Sequence, residues 1–228
     1  TGLTLLDVIK PGSGSLTDTT LIRKFSPRRP EHIVYETRSV VYVNRGLNQY
    51  DAILDLAHEL THFVYRRQFN PYKVNFNLSE FIKNTIEGEG GEARAFVGEC
   101  QVLNELFPSK YHERYNCGKV KGPDGKISQD LAVQKFYQIG DFEDPFRRLL
   151  LKEGIIEQFP SISSKEVSFV SSAYGVPYPV AAYKEYKAVM TKVCANDKKR
   201  IAYLAQSKGR SPASALENDW KQKCSRFD

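Results

Sequence analysis

The stretch that decides the fold is Asp51-Ala-Ile-Leu-Asp-Leu-Ala-His58-Glu59-Leu-Thr-His62-Phe-Val-Tyr65. It contains the pattern His-Glu-x-x-His, in which two histidines stand four residues apart and a glutamate follows the first. Residues at i and i+4 of a helix lie one above the other on the same face, so His58 and His62 can reach one metal ion. Glu59 then lies beside the open position of that metal, and the pattern predicts a zinc site.

These residue types suit a catalytic zinc ion in particular. Neutral imidazole is a good zinc ligand, and a catalytic zinc ion keeps one coordination position for water. The metal lowers the pKa of that water to about 7, and a neighbouring carboxylate can take its proton and deliver it to a leaving amine. The sequence offers Glu59 for this role of general base.

An ordinary surface helix is the alternative interpretation of the same stretch. At ~100° per residue, Ile53, Ala57, Leu60 and Val64 form one apolar stripe, and the motif residues fall on the opposite face. An amphipathic helix with a solvated polar face has the same pattern. A second segment is therefore needed to support the zinc site.

The sequence from Glu92 to Phe107 supplies that segment, because it predicts a helix whose apolar stripe contains Glu92 and Glu99. A buried carboxylate is costly unless it is paired or binds a metal. Glu92 is the first candidate for the third ligand, followed by Glu89 and then Glu99. Glu99 is the better candidate for holding a ligand imidazole by its other N–H. An ion pair with Arg or Lys is the alternative for either carboxylate.

Together these segments resemble the zincin metallopeptidases, in particular the gluzincins, whose third ligand is a glutamate. In that family one helix gives two histidines and the general base, and a later helix gives a glutamate followed by small residues. The resemblance implies His58, His62 and Glu92 as zinc ligands and Glu59 as the base. It covers about residues 38–107, which is under half of the chain.

The chain also departs from the known branches of this family. The thermolysin-like form has an aspartate four residues after the glutamate, but Phe96 stands there. The metzincin form extends the motif with a third histidine, but Tyr65-Arg-Arg-Gln-Phe follows His62. The resemblance therefore implies no particular substrate preference.

The remaining sequence predicts one zincin-like α+β domain over residues 1–228, with a cleft between two lobes. The N-terminal lobe, about residues 1–70, holds a small sheet and the motif helix, and the lobe of about residues 71–228 is mostly helical. Strands are expected at 33–37 and 39–43. The resemblance implies a strand that pairs with extended substrate, a role that residues 39–44 would suit, and an ordinary sheet strand is the equal alternative. Helices are expected at about 48–67, 78–86, 92–107, 129–138, 143–158, 163–172, 179–207 and 212–225, with Ser211 as the N-cap of the last.

An uncharged segment from Ser171 to Pro179 interrupts the helical half and carries Tyr174 and Tyr178. In metallopeptidases, a phenol or imidazole from a later segment often donates a hydrogen bond to the oxyanion. Tyr174 is the first candidate for this catalytic role and Tyr178 is the second. A packed turn that uses tyrosine as hydrophobic filler is the alternative.

Four cysteines bear on the compartment of the protein. None forms a C-x-x-C pair, which argues against a cysteine zinc site, and the even count fits two disulfides in an exported protein. Local pairing would join Cys100 to Cys117 and Cys194 to Cys224, although the sequence does not fix the connectivity. With a first residue that is not Met, the cysteines favour a secreted or periplasmic protein. Four reduced thiols in the cytosol are the alternative.

Charge and hydropathy exclude further classes of protein. The net charge of +6 and the pI of about 9.0 favour acidic partners, but the basic residues form no long block, so we expect no nucleic-acid partner. The longest uncharged run, residues 167–183, contains two prolines and a glycine, so we expect no membrane span. We expect a monomer.

The sequence thus predicts a zinc-dependent metallopeptidase that hydrolyses a protein or peptide substrate with Glu59 as general base. One alternative is a hydrolase of cell-wall stem peptides, which the basic surface would suit. The other is a non-catalytic zincin-like binding protein in which zinc is structural or absent. Stoichiometric zinc with an open coordination position would favour an enzyme over the binding protein.

Overall fold

The computed structural model describes residues 5–26, 29–67, 70–73, 76–111, 115–153, 162–206, 212–225 and 227. It contains three strands, β1 (Ile9–Gly12), β2 (Leu16–Ser26) and β3 (Arg29–Asn44). Its helices are α1 (Leu5–Val8), α2 (Gln49–Tyr65), α3 (Leu78–Glu87), α4 (Glu92–Leu106), α5 (Pro108–Tyr111), α6 (Tyr115–Gly118), α7 (Gln129–Phe136), α8 (Glu143–Lys152), α9 (Tyr178–Gln206) and α10 (Pro212–Cys224), with a 3₁₀ turn at Gly140–Phe142. The expected α+β class, a small sheet followed by a mostly helical part, is confirmed.

The sheet has the strand order β1-β3-β2, with β3 in the centre. β2 and β3 form a long antiparallel hairpin, and β1 pairs in parallel with the end of β3, from Ile9 opposite Val41 to Gly12 opposite Asn44. Of the two interpretations of residues 39–44, the structure shows the ordinary sheet strand. These residues pair with β2 through residue 42 and with β1 from residue 41 onward.

One strand is missed by the sequence analysis, and one predicted helix is wrong. β2 is not predicted from the sequence, because its alternation of apolar and polar residues is weak and its pairing with β3 stabilises it. The predicted helix at 163–172 is extended chain, in which the Ser163 N–H donates to the Tyr137 carbonyl at 3.0 Å. Phe169 packs there on Phe136, with ring centroids 4.4 Å apart, so tertiary contacts override the local helical pattern.

Helix α2 begins and ends close to the predicted boundaries. Asn48 is its N-cap, and the Asn48 side chain accepts a hydrogen bond from the Asp51 N–H at 2.9 Å. Leu54 is fully buried in the core, and α2 packs against β3 and α4. The helix is therefore fixed between the sheet and the helical half of the chain.

Helix α4 is the central element of the helical half, since it contacts α2, α3, α5 and α7. Phe96 on α4 packs against Phe136 on α7 and against Phe169, and all three rings are buried. The predicted helices around it are confirmed at 78–87, 129–136, 143–152 and 178–206. Ser211 and the predicted helical residues 154–158 lie outside the described residues.

Two disulfides tie the helices together, and both follow the local pairing. Cys100 on α4 is bonded to Cys117 on α6, and Cys194 on α9 is bonded to Cys224 on α10. Disulfides of this kind persist in oxidising compartments. None of the helices in the described ranges has an apolar stretch that would reach across a bilayer.

Removal of the disulfide on α4 gives the first testable prediction. The Cys100→Ala/Cys117→Ala variant should lose about 3 kcal/mol in its free energy of unfolding, because the bond closes a separation of 17 residues in the unfolded chain. Urea unfolding under oxidising conditions measures this loss. The Cys194→Ala/Cys224→Ala variant, with a separation of 30 residues, should lose a similar amount. Wild-type stability in both variants would contradict the prediction.

Candidate metal centre

Three side chains from two helices converge at the centre of the molecule. His58 and His62 lie one turn apart on α2, and Glu92 is the first residue of α4. The Glu92 Oε2 atom is 3.4 Å from His58 Nε2 and 3.7 Å from His62 Nε2. One nitrogen or oxygen from each of the three lies within 4.8 Å of the others, so the group can hold one metal ion.

The ring of His62 is fixed by the loop that precedes α4. Its Nδ1 atom is 2.8 Å from the Gly90 carbonyl oxygen. A carbonyl only accepts hydrogen bonds, so Nδ1 carries a proton and donates, and Nε2, which faces Glu92, is the nitrogen available to a metal ion. A Cβ atom at position 90 would lie 2.0 Å from the backbone nitrogen of Arg66, so this close approach requires glycine.

The carboxylate of Glu99, which the sequence predicts as the partner of a ligand imidazole, lies on the other side of the His58 ring. His58 Nδ1 is 3.5 Å from Glu99 Oε2, while Nε2 faces Glu92. Glu99 follows Glu92 by two turns of α4, and Gly98 allows α4 to approach α2 closely, since a Cβ there would lie 3.3 Å from Thr61 Oγ1. Partners of this kind orient metal-binding imidazoles and fix their tautomer.

The electrostatics of the site favour a positive charge near the carboxylates of Glu92 and Glu99. Burial lowers the pKa of His58, but polar contacts with Glu92 and Glu99 outweigh burial and raise this pKa to about 10. Burial would raise the pKa of Glu92, but contacts with His58 and His62 hold it well below its usual range. A cation at this position, whether a proton or a metal ion, is therefore compensated by the protein.

Glu59 is buried beside the group, with 8% of its surface exposed. The Thr17 hydroxyl, on β2, lies 2.8 Å from Glu59 Oε2 and 2.8 Å from the Glu59 backbone oxygen. The sheet therefore orients the carboxylate of the motif. Neither Thr17 nor Gly90 is a candidate in the sequence, because no motif marks a residue that acts through a hydrogen bond from a distant element.

The two candidate tyrosines lie in different environments. Tyr178 is the first residue of α9, and its hydroxyl interacts with Glu92; burial, followed by the charge of Glu92, raises the pKa of Tyr178. Tyr174 lies on the preceding turn and is 39% exposed, and burial and the charge of Glu185 raise its pKa. Of the two, the structure brings Tyr178 to the metal-binding group. Glu89, an alternative ligand, lies exposed on the turn before α4.

The spacing of the three side chains is compatible with a shared metal ion. Charge-assisted N–H···O hydrogen bonds are about 2.7–2.9 Å long, whereas the two contacts of Glu92 measure 3.4 and 3.7 Å. Two ligand atoms about 2.0–2.1 Å from a tetrahedral zinc ion lie about 3.4 Å apart. Two imidazoles and one carboxylate are also a ligand set of catalytic zinc.

Comparison with protein-family models, with curated proteins and with solved structures yields no match. What this chain does is therefore inferred from its own side chains.

The role of Gly90 gives a prediction that depends on backbone geometry alone. Gly90→Ala should weaken zinc binding at least about tenfold, because the added Cβ displaces the carbonyl that orients His62. Competition with a chromogenic chelator measures the affinity, and circular dichroism monitors the fold. Gly14→Ala is the matched control, since a Cβ at Gly14 meets no atom within 4 Å. Wild-type affinity in folded Gly90→Ala protein would show that this carbonyl does not position the ligand.

Proposed function

We propose that this protein is a zinc-dependent metallopeptidase, with His58, His62 and Glu92 as the zinc ligands. The observation that carries the proposal is the convergence of two Nε2 atoms and one carboxylate oxygen beside a second buried carboxylate, that of Glu59. A zinc ion bound there would supply a Lewis acid that polarises the scissile carbonyl and lowers the pKa of water. Glu99 and the Gly90 carbonyl orient the two imidazoles for this task.

Glu59 acts as the general base. Glu59 follows His58 directly in the chain, which places it about 100° around α2 from that ligand, and its charge acts on His58. The Thr17 hydroxyl contacts Oε2 and thereby sets the orientation of Oε1 as well. The carboxylate accepts a proton from the attacking water and passes it to the leaving amine.

Tyr178 stabilises the negative charge that develops on the carbonyl oxygen. Its hydroxyl lies at Glu92, and the raised pKa keeps the phenol protonated and able to donate at neutral pH. A preorganised hydrogen-bond donor of this kind stabilises the carbonyl oxygen more strongly as that oxygen gains negative charge. Tyr174, the first candidate from the sequence, lies on an exposed turn four residues earlier.

The substrate we propose is a protein or peptide that binds in an extended conformation. β3 is central in the sheet, but β2 is an outer strand and carries Thr17, which contacts the general base. An extended peptide that adds to this outer strand would pass the carboxylate of Glu59. The two buried disulfides support a secreted or periplasmic location.

Two alternatives differ in what they require of the same residues. A hydrolase of cell-wall stem peptides would use the same ligands and base, and the net charge of +6 suits an anionic envelope. A non-catalytic binding protein, in which zinc is structural or absent, would not need Glu59. A substrate screen that includes stem peptides, run with and without chelator, distinguishes the three.

Substitution of the base is the direct test of the hydrolytic proposal. Glu59→Gln should keep one zinc ion per chain but lower kcat at least about 100-fold, because it removes the proton acceptor and leaves the ligands. Glu89→Gln makes the same chemical change at an exposed position and should retain full activity. Metal analysis and peptide hydrolysis give the two readouts. Undiminished hydrolysis by Glu59→Gln would refute the mechanism.

Substitution of the proposed ligand Glu92 should remove zinc, whereas substitution of Glu59 should retain it. Glu92→Ala should lose most of its zinc, because two imidazoles alone remain at the site. Metal analysis after dialysis against a weak chelator measures this loss. If the variant retains full zinc content, the third ligand is another residue.

The roles of Tyr174 and Tyr178 can be distinguished by removing one hydroxyl group at a time. Tyr178→Phe should lower kcat about 100-fold with little change in KM, since its hydroxyl acts on charge that appears only during reaction. Tyr174→Phe should leave both constants unchanged. Steady-state kinetics on the best peptide of the screen decides between them, and the reverse outcome would assign the oxyanion role to Tyr174.

A further inference from the structure

A cavity of about 540 Å³ lies away from the metal centre, between the β2–β3 hairpin and the helices α9 and α10. Its volume is in the range of pockets that bind small molecules. Much of its wall is aromatic, with Tyr35, Tyr72, Tyr186 and Trp220 among the lining side chains. The cavity therefore offers flat apolar surfaces to a ligand.

Three cations line one end of this cavity around a single carboxylate. Arg23 forms an ion pair with Asp197, and its guanidinium stacks on Tyr72 at 3.8 Å from the ring centroid. The Arg23 side chain is only 8% exposed. Arg200 and Lys223 line the same end, and both interact electrostatically with Arg23 and Asp197.

Arg23 repels both of the other cations at this end of the cavity. Burial and then repulsion by Arg23 lower the pKa of Arg200. Burial also lowers the pKa of Lys223, with Asp197 opposing and Arg23 adding to the shift. An anion placed among the three cations would relieve the repulsion between them.

The other described charged residues of the wall do not cancel the positive charge of Arg23, Arg200 and Lys223. Lys187 and Glu153 both lie at Tyr183, where Glu153 accepts a hydrogen bond from the Tyr183 hydroxyl at 3.4 Å. Asp219 also lines the cavity and is exposed on α10. Among the described residues that line the cavity, four cations therefore face three carboxylates.

We propose that this cavity binds a small organic anion, in which a carboxylate is attached to an aromatic or other apolar body. The carboxylate would lie among Arg23, Arg200 and Lys223, which can donate charge-assisted hydrogen bonds. The apolar body would lie against the tyrosine and tryptophan rings. This separation of charged and apolar parts along one cavity is what selects for such a ligand.

The site is separate from the metal centre and does not depend on zinc. Arg23 lies six residues beyond Thr17 on β2, which corresponds to about 20 Å along an extended strand. The proposed anion site and the proposed peptidase activity can therefore succeed or fail independently. Binding is to be measured in the metal-free and the zinc-loaded protein.

Trp220 makes the proposal testable in a direct way, because it is the only tryptophan of the chain and lines the cavity. Its ring is fixed by a hydrogen bond from Nε1 to the Cys194 carbonyl at 3.0 Å. Titration with 4-phenylbutyrate should change its emission saturably, in both forms of the protein. The neutral 4-phenylbutanol should bind at least about tenfold more weakly, and the cationic 4-phenylbutylamine should bind more weakly still.

Charge-removing variants complete the test. Arg200→Gln and Lys223→Gln should each weaken 4-phenylbutyrate binding about tenfold or more. Lys192→Met removes an exposed positive charge from α9 outside the cavity wall and should leave binding unchanged. Thermal unfolding identifies a variant that fails to fold, in which case the other variant decides. Absence of saturable binding, equal affinity for the alcohol, or wild-type affinity in the folded variants would overturn the proposal.

Discussion

The contact of one carboxylate, that of Glu92, with two imidazoles from the neighbouring helix is the constraint on which this structure depends. It places acidic and basic groups in the interior, where each would be costly alone. His58 and His62 share one face of α2 because they are four residues apart, and Glu92 meets them because α4 begins opposite that face. A cation bound by the three would also stabilise the packing of α2 on α4, since metal binding is coupled to folding.

The surroundings of the group explain why its geometry is so well defined. Each imidazole has a partner for Nδ1, a backbone carbonyl for His62 and the Glu99 carboxylate for His58. Glycine at position 90 lets the loop before α4 reach the end of α2. The sheet contributes Thr17 and α9 contributes Tyr178, so elements from both halves of the chain meet at one point.

Much of this site can be predicted from the sequence, because its central residues carry local signals. The spacing of the two histidines predicts the face of α2, Asn48 is a recognisable cap, and an acid in an apolar stripe identifies Glu92 and the partner role of Glu99. Both disulfides join cysteines that are neighbours in the chain, which is the local pairing that the sequence suggests without fixing it.

The remaining features depend on contacts between distant segments. β2 owes its conformation to pairing with β3, and Phe169 is held in extended chain by aromatic packing, so neither has a clear local pattern. The choice between Tyr174 and Tyr178 depends on where α9 begins, which the sequence leaves open within a few residues. The cavity at Trp220 combines residues from several elements and has no motif at all.

X-ray absorption spectroscopy of protein reconstituted with one equivalent of zinc tests the central claim most directly. The account predicts a single bound ion with two imidazole nitrogens and otherwise oxygen ligands at about 2.0–2.1 Å. It also predicts that the imidazole signal is lost when His58 and His62 are replaced by alanine. A sulfur-containing coordination sphere, or an unchanged spectrum in that double variant, would contradict a metal held between α2 and Glu92.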